Sequence, residues 1–169
     1  RSLSVAITYT DGYGATERVE SAATLPVANI NDAPVGNVLI SGQPIEDETL
    51  SVTSTLSDED GIGSFTYEWY AGNELISDAT GASLTLDQPQ VGSAISVIIS
   101  YTDGFGTSES VSSDQTALVA NINDPPEGQI TISGVVEEGR TLTALDSLTD
   151  DDGLGEFNYQ WRAGDVDIE

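Results

Sequence analysis

Aspartates in short glycine-containing motifs are the residues of this sequence with the clearest capacity for chemistry. Asp58 and Asp60 belong to Asp-x-Asp-Gly-x-Gly, and Asp103 belongs to Tyr-Thr-Asp-Gly-x-Gly. Crowded carboxylates repel one another by about 1 kcal/mol or more per pair at surface dielectric, whereas Ca²⁺ accepts about six to eight oxygen ligands in loose geometry. The motifs therefore indicate a calcium site if the fold brings them together. The alternative is that each Asp-Gly pair only forms a turn.

The composition excludes several classes of function. The 169 residues include 29 acidic and four basic ones, all of the latter arginine, and neither histidine nor cysteine occurs. We do not expect binding to nucleic acid, which requires basic residues, or insertion into a membrane, which requires a long apolar segment. The usual general base and thiol nucleophile are also missing, so we expect no enzymatic activity. General acidity for solubility is a second explanation of the charge.

The sequence repeats itself at a constant offset of 92 residues. Residues 7–42 align with 99–134 without a gap, and residues 56–72 align with 148–164, roughly half of the compared positions being identical. If the boundary lies in the Asn-Ile-Asn-Asp-x-Pro stretch, three units follow. They are the C-terminal part of a first repeat (1–30), a complete repeat (31–122) and the N-terminal part of a third (123–169).

Apolar residues alternate with polar ones in the complete repeat, as at Ile95, Val97 and Ile99. A period of two is typical of half-buried strands, and turn residues separate these stretches. About seven short strands in some 90 residues indicate an all-β fold of tandem immunoglobulin-like β-sandwich domains. Trp69 and Trp161, each in a Tyr-x-Trp motif, are predicted to be buried in the cores.

The sandwich topology predicts where the acidic motifs meet. The loop between the second and third strands and the loop between the last two strands share the pole at which the chain enters, next to the preceding repeat. Cations are therefore expected at the joints between neighbouring repeats of the chain. The predicted ligands of the first joint are Asn29, Asn31, Asp32, Asp58, Glu59, Asp60 and Asp103. Those of the second joint are Asn121, Asn123, Asp124, Asp150 and Asp152. Asp11 is expected to act likewise for the first repeat, and Glu46 and Glu138 to close the joints from the other pole.

These motifs, in their order along the chain, resemble the immunoglobulin-like and cadherin-like repeats of giant bacterial surface adhesins exported by type I secretion (RTX-type). The linker is similar to the Asp-x-Asn-Asp calcium linker of cadherins, with Asn29 and Asn121 in place of an acid. The resemblance implies an extracellular location on a Gram-negative bacterium and joints stiffened by Ca²⁺. It also implies a spacer role, with other domains attaching to a host or abiotic surface.

Two other functions stay open. The repeat itself could bind a glycan or a protein receptor, for which Tyr70, replaced by Arg162 in the next repeat, is the candidate contact. Alternatively, the incomplete repeats of neighbouring molecules could complement each other by strand exchange, as subunits of a filament.

Overall fold

The computed structural model describes residues 1–168, and it is almost entirely β. The strands are β1 (Ala6–Thr10), β2 (Thr16–Glu20), β3 (Val38–Ser41), β4 (Thr49–Ser54), β5 (Thr66–Ala71), β6 (Glu74–Leu75), β7 (Ser83–Thr85), β8 (Ile95–Thr102), β9 (Ser108–Ser112), β10 (Ile130–Gly134), β11 (Leu142–Asp146), β12 (Trp161–Ala163) and β13 (Val166–Ile168). One 3₁₀ turn, Gln88–Gln90, precedes β8. The all-β prediction is confirmed. No helix within residues 1–168 is long and apolar enough to cross a membrane.

Residues 31–122, which we call the middle unit, form two antiparallel sheets around one core. The sheets have the strand orders β3-β4-β7 and β6-β5-β8-β9. Strand β8 buries every second residue, because alternate side chains of a strand point to opposite faces. The buried core residues are Val38, Leu50, Trp69, Leu84, Leu86, Ile95, Val97, Ile99 and Val119. The middle unit is thus sandwich-like.

The ends of the middle unit are joined by a short parallel contact. Ile45 and Ala120 form a parallel bridge. The backbone N–H of Glu46 donates to Ala120, and that of Ala120 donates to Pro44, each over 2.9 Å. The chain segment before β4 and the segment after β9 are therefore held side by side.

The two flanking segments form separate hairpins. Strands β1 and β2 pair in residues 1–30, and β10–β11 and β12–β13 pair in residues 123–168. Trp69 is fully buried and its indole N–H donates to the carbonyl of Gly81 over 2.9 Å. Trp161 is only half-buried, so the prediction that it is buried like Trp69 is wrong. The cover of Trp69 comes from β8 and the Gly81 loop, and residues 123–168 contain no counterpart of either.

Candidate functional site

Two separated loops of the middle unit meet at the pole that faces residues 1–30. The β4–β5 loop carries Asp58 and Asp60, and the β8–β9 loop carries Asp103. The N–H of Gly104 donates to the carbonyl of Asp60 over 2.9 Å. A Cβ atom at Gly104 would lie 2.6 Å from that oxygen, so this close approach requires glycine. The predicted convergence of the two motifs is present in the structure.

Asp103 and Asp60 are the most buried acidic residues of this pole, and each has 7% of its surface exposed. Its Oδ1 accepts hydrogen bonds from the N–H groups of Phe105 (2.9 Å) and Thr107 (2.7 Å). Its Oδ2 is buried and has no hydrogen-bond partner among residues 1–168. Burial acts to raise the pKa of Asp103, but the hydrogen bonds from Thr107 and Phe105 outweigh it and hold the pKa below its usual value.

The linker before β3 is attached to the same pole through Asp60. The N–H of Asp32 donates to Asp60 Oδ2 over 2.8 Å. Asp58 accepts from the N–H of Asp60 through Oδ1 (2.8 Å) and from the hydroxyl of Tyr101 through Oδ2 (2.5 Å). Burial, and then the Asp58 carboxylate, raise the pKa of Tyr101. Asp32, Asp58 and Asp60 are thus brought together, with Tyr101 as a contact that the sequence did not reveal.

The remaining predicted residues of the first joint lie at its edge. The amide of Asn31 donates to Glu109 Oε1 on β9 over 2.8 Å. Glu59 is exposed, and the side chain of Asn29 makes no hydrogen bond within residues 1–168. Glu109 was not predicted. Its signal in the sequence is weak, since it is a single glutamate that alternates with Val111 on the inward face of β9 and belongs to no motif.

The second joint repeats the linker contact of the first. The N–H of Asp124 donates to Asp152 Oδ2 over 2.8 Å, the same distance as between Asp32 and Asp60. The N–H of Asp152 donates to Asp150 Oδ1 over 3.0 Å, and the amide of Asn121 donates to Asp152 Oδ1 over 2.6 Å. The amide of Asn123 is used locally, on the carbonyl of Asp124. Asp152 is exposed where Asp60 is buried, because no β8–β9 loop covers it within residues 1–168.

Glu46 reaches the second joint from the middle unit. It is 4% exposed, and its Oε2 accepts a hydrogen bond from the N–H of Ile122 over 2.9 Å. The pKa of Asp124 is raised, first by burial and then by the negative charges of Glu46 and Asp152. Carboxylates from both sides of the linker therefore act on one another at this joint, and Glu46 is one of them.

Both joints contain a cleft lined by equivalent residues. The cleft at the first joint measures about 360 Å³ and is lined by Asp32, Ala33, Val35, Ser57, Asp58 and Glu59. The second measures about 150 Å³ and is lined by Asp124, Pro125, Glu127, Thr149, Asp150 and Asp151. All six positions correspond at the offset of 92 residues, and three of them are acidic in both clefts.

Asp11 and Glu138 are not brought to either linker. Asp11 Oδ1 accepts from the N–H groups of Tyr13 and Ala15, both over 2.9 Å, within the β1–β2 turn. Glu138 is exposed between β10 and β11. Asp11 and Asp103 thus make the same turn, which shows that the turn-forming role of these aspartates is real.

Turn formation uses one carboxylate oxygen each of Asp11, Asp58 and Asp103, whereas Asp60 accepts from the linker. The second oxygen of Asp103, Oδ2, accepts no hydrogen bond within residues 1–168. The second oxygen of Asp58, Oδ2, accepts one from the Tyr101 hydroxyl. Within residues 1–168, no three acidic side chains lie closely enough to enclose a metal ion by themselves. A cation at this pole would therefore need backbone carbonyls and water besides the carboxylates.

Comparison with known proteins adds no relative: no family model matches the chain, and neither a curated protein nor a solved structure is detectably similar to it.

Proposed function

We propose that this chain is part of a tandem array of immunoglobulin-like domains that serves as a calcium-stiffened, extracellular spacer in a large bacterial surface adhesin. The observation that supports this most is the recurrence of one linker contact, with one acidic cleft beside it, at both joints. A repeated joint with no histidine, cysteine or lysine suits spacing better than catalysis.

The charge of the middle unit supports a cation as the missing partner. Residues 31–122 contain 14 acidic residues and no arginine or lysine. Three of the four arginines pair with exposed acids in the flanking segments, as Arg18–Glu20, Arg140–Glu137 and Arg162–Asp167. No basic residue of the middle unit can neutralise the buried carboxylates of the first joint, which supports a cation from solution as their counter-charge.

The donor set fits a hard cation. Asp103 Oδ2, buried without a hydrogen-bond partner, is an oxygen of the kind that a hard cation binds. Asp58 and Asp60 lie on the adjoining loop, whose Asp60 carbonyl accepts from Gly104, and the N–H of Asp32 donates to Asp60 Oδ2. Ca²⁺ suits such loops better than Mg²⁺, which demands octahedral geometry at shorter distances. Bound there, the ion would neutralise the carboxylates and cross-link the linker to both loops.

Thermal unfolding tests the proposal. We expect millimolar Ca²⁺ to raise the midpoint relative to chelator, and Mg²⁺ to raise it much less. The double variant Asp58→Ala with Asp60→Ala should lose the calcium effect. Glu74→Ala with Asp78→Ala removes two exposed acids from the same unit and is the matched control, which should keep it.

Equal midpoints in calcium, magnesium and chelator would leave the aspartates as turn residues only. Direct binding of a glycan or protein receptor would then become the leading function. In that case the half-buried Tyr70 is the first residue to substitute.

A further inference from the structure

The chain leaves the middle unit through residues 113–120, which we call the exit strap. The strap follows β9 and runs antiparallel to the first half of β8 and the residues just before it. Its backbone contacts recur at every third residue. The N–H donors and their carbonyl acceptors, each pair 2.9 Å apart, are Ser113 with Val97, Thr116 with Ile95, and Val119 with Ser93. The strap therefore advances three residues for every two of β8, whereas the two strands of a regular antiparallel pair advance equally.

The side chains of Ser113 and Thr116 supply the acceptors that the strap backbone does not supply in this register. The N–H of Val97 donates to Ser113 Oγ, and that of Ile95 donates to Thr116 Oγ1, each over 3.0 Å. The two hydroxyls in turn donate to carbonyls of the strap itself, over 2.8 and 2.6 Å. A hydroxyl can accept and donate at once, so each completes the pairing at one position of the β8 edge.

The same arrangement occurs at the equivalent place of the first repeat. Ser21 bonds to Val5, and Thr24 to Leu3, each through its backbone N–H and its hydroxyl, at distances of 2.8–3.1 Å. In both places the sequence reads Ser-x-x-Thr-x-x-Val-Ala-Asn and runs directly into the linker. The unequal register is therefore a property of this motif, which precedes each of the two joints.

Little of the exit strap is packed against the core. Val119 is its one buried residue, and Leu118 is 64% exposed. Every other member of the buried core cluster lies between Val38 and Ile99, outside the strap. A segment with few buried apolar contacts opens at a smaller cost in free energy than the elements that carry the core. The strap is thus the part of the middle unit that is held mainly by hydrogen bonds at its edge.

We propose that the exit strap opens as a unit while both sheets of the middle unit stay folded, and that this opening lengthens the joint to the next repeat. Ala120 and Ile122 then give up their bonds to residues 44–46. The six residue steps from Ser113 to Val119 can extend to about 20 Å but cover only four steps of the β8 edge, about 13 Å, so about 7 Å becomes available to the linker. The device needs no cation, and it turns a joint of fixed length into a longer and more mobile one.

Amide hydrogen exchange of the whole chain in chelator tests the opening, and the chelator makes the result independent of calcium. The amides of Thr116, Val119 and Ile95 should exchange together, with little dependence on low concentrations of urea. The amide of Ile98, opposite Glu68 inside the larger sheet, should exchange at least about tenfold more slowly and with a steep dependence on urea, because it needs global unfolding. If all four amides share one rate and one urea dependence, the strap does not open separately and the proposal is refuted.

Two substitutions separate the strap from the sheets. Thr116→Val removes the hydroxyl that accepts from Ile95, a bond that is lost on opening, so the strap amides should exchange about tenfold faster. Val52→Ala removes apolar contacts beside the core on β4, which stays folded when the strap opens. The Ile98 amide should therefore exchange faster in Val52→Ala, and the strap amides at their original rate. Strap amides that Val52→Ala also accelerates would show that strap and sheets open together.

A disulfide tests whether the linker moves with the strap, and the chain has no native cysteine to interfere. Ala94 and Leu118 are neighbours across an antiparallel bridge, so cysteines placed there can join. In the oxidised double variant, Ala94→Cys with Leu118→Cys, the amides of Thr116 and Ile122 should both exchange at least about tenfold more slowly than in the reduced form. An Ile122 amide that oxidation does not slow would show that the linker opens without the strap, and would refute the lengthening of the joint.

Discussion

The hydroxyl of Tyr101 ties β8 to the loop that carries Asp58, and its removal has a calculable cost. The hydrogen bond to Asp58 Oδ2 measures 2.5 Å, and the Tyr101 ring contacts Phe65 edge-on with centroids 5.8 Å apart. Tyr101→Phe removes the donor and keeps the ring contact. A hydrogen bond to a charged group contributes about 1.5–3 kcal/mol, and water can reach the half-buried Asp58. We therefore expect a loss of about 1.5 kcal/mol in the free energy of unfolding.

Urea denaturation in chelator, followed by tryptophan fluorescence, measures this loss. A double-mutant cycle of Tyr101→Phe with Asp58→Ala should give a coupling energy of about 1.5 kcal/mol. Tyr67→Phe is the control, because the Tyr67 hydroxyl makes no hydrogen bond within residues 1–168, and it should cost less than about 0.5 kcal/mol. A coupling energy below about 0.5 kcal/mol would show that the hydroxyl does not hold the loop.

Two further predictions concern the core and the pH dependence. Leu50→Ala should destabilise by about 3 kcal/mol because Leu50 is fully buried, and Leu142→Ala at the equivalent, half-buried position by less than about 1 kcal/mol, both measured by urea denaturation of dilute protein. The lowered pKa of Asp103 means that its charge stabilises the fold above the unfolded-state pKa, and that this stability is lost as the pH falls through the folded-state pKa. The raised pKa of Asp124 has the opposite sign, since its charge costs stability at neutral pH. Thermal midpoints measured in chelator from neutral to acidic pH should therefore show Asp124→Asn stabilised at neutral pH and Asp103→Asn less sensitive to acid. If the thermal midpoints of the two variants changed with pH in the same way, both pKa directions, raised for Asp124 and lowered for Asp103, would be contradicted.

Most of the strand arrangement was predictable from the sequence. The alternation through Ile95, Val97 and Ile99 identified the inward face of β8, because burial of one face selects apolar residues at every second position. The burial of Trp69 followed from the same pattern. Trp161 has the same local sequence but lacks the covering strand, so a local pattern alone was not sufficient.

The candidate site was predictable in outline but not in its contacts. Topology places the loops of Asp60 and Asp103 together, and the structure confirms it. The pairing of Asn31 with Glu109 depends on side-chain conformations that no motif encodes. Likewise, Oδ1 of Asp103 accepts hydrogen bonds from the turn while Oδ2 stays without a partner. This difference depends on the path of the turn backbone, and not on the Asp-Gly dipeptide itself.

The parallel contact between the two ends of the middle unit determines how that unit responds to tension. Pulling on the linker after Ala120 loads the hydrogen bonds of Glu46 and Ala120 in shear, so both must break before β9 can peel away. The Ile122 contact to Glu46 and the Asp124 contact to Asp152 lie only two residues apart. Fully extended, two residues span at most about 7 Å, so the second joint has almost no slack and passes the load directly from one unit to the next.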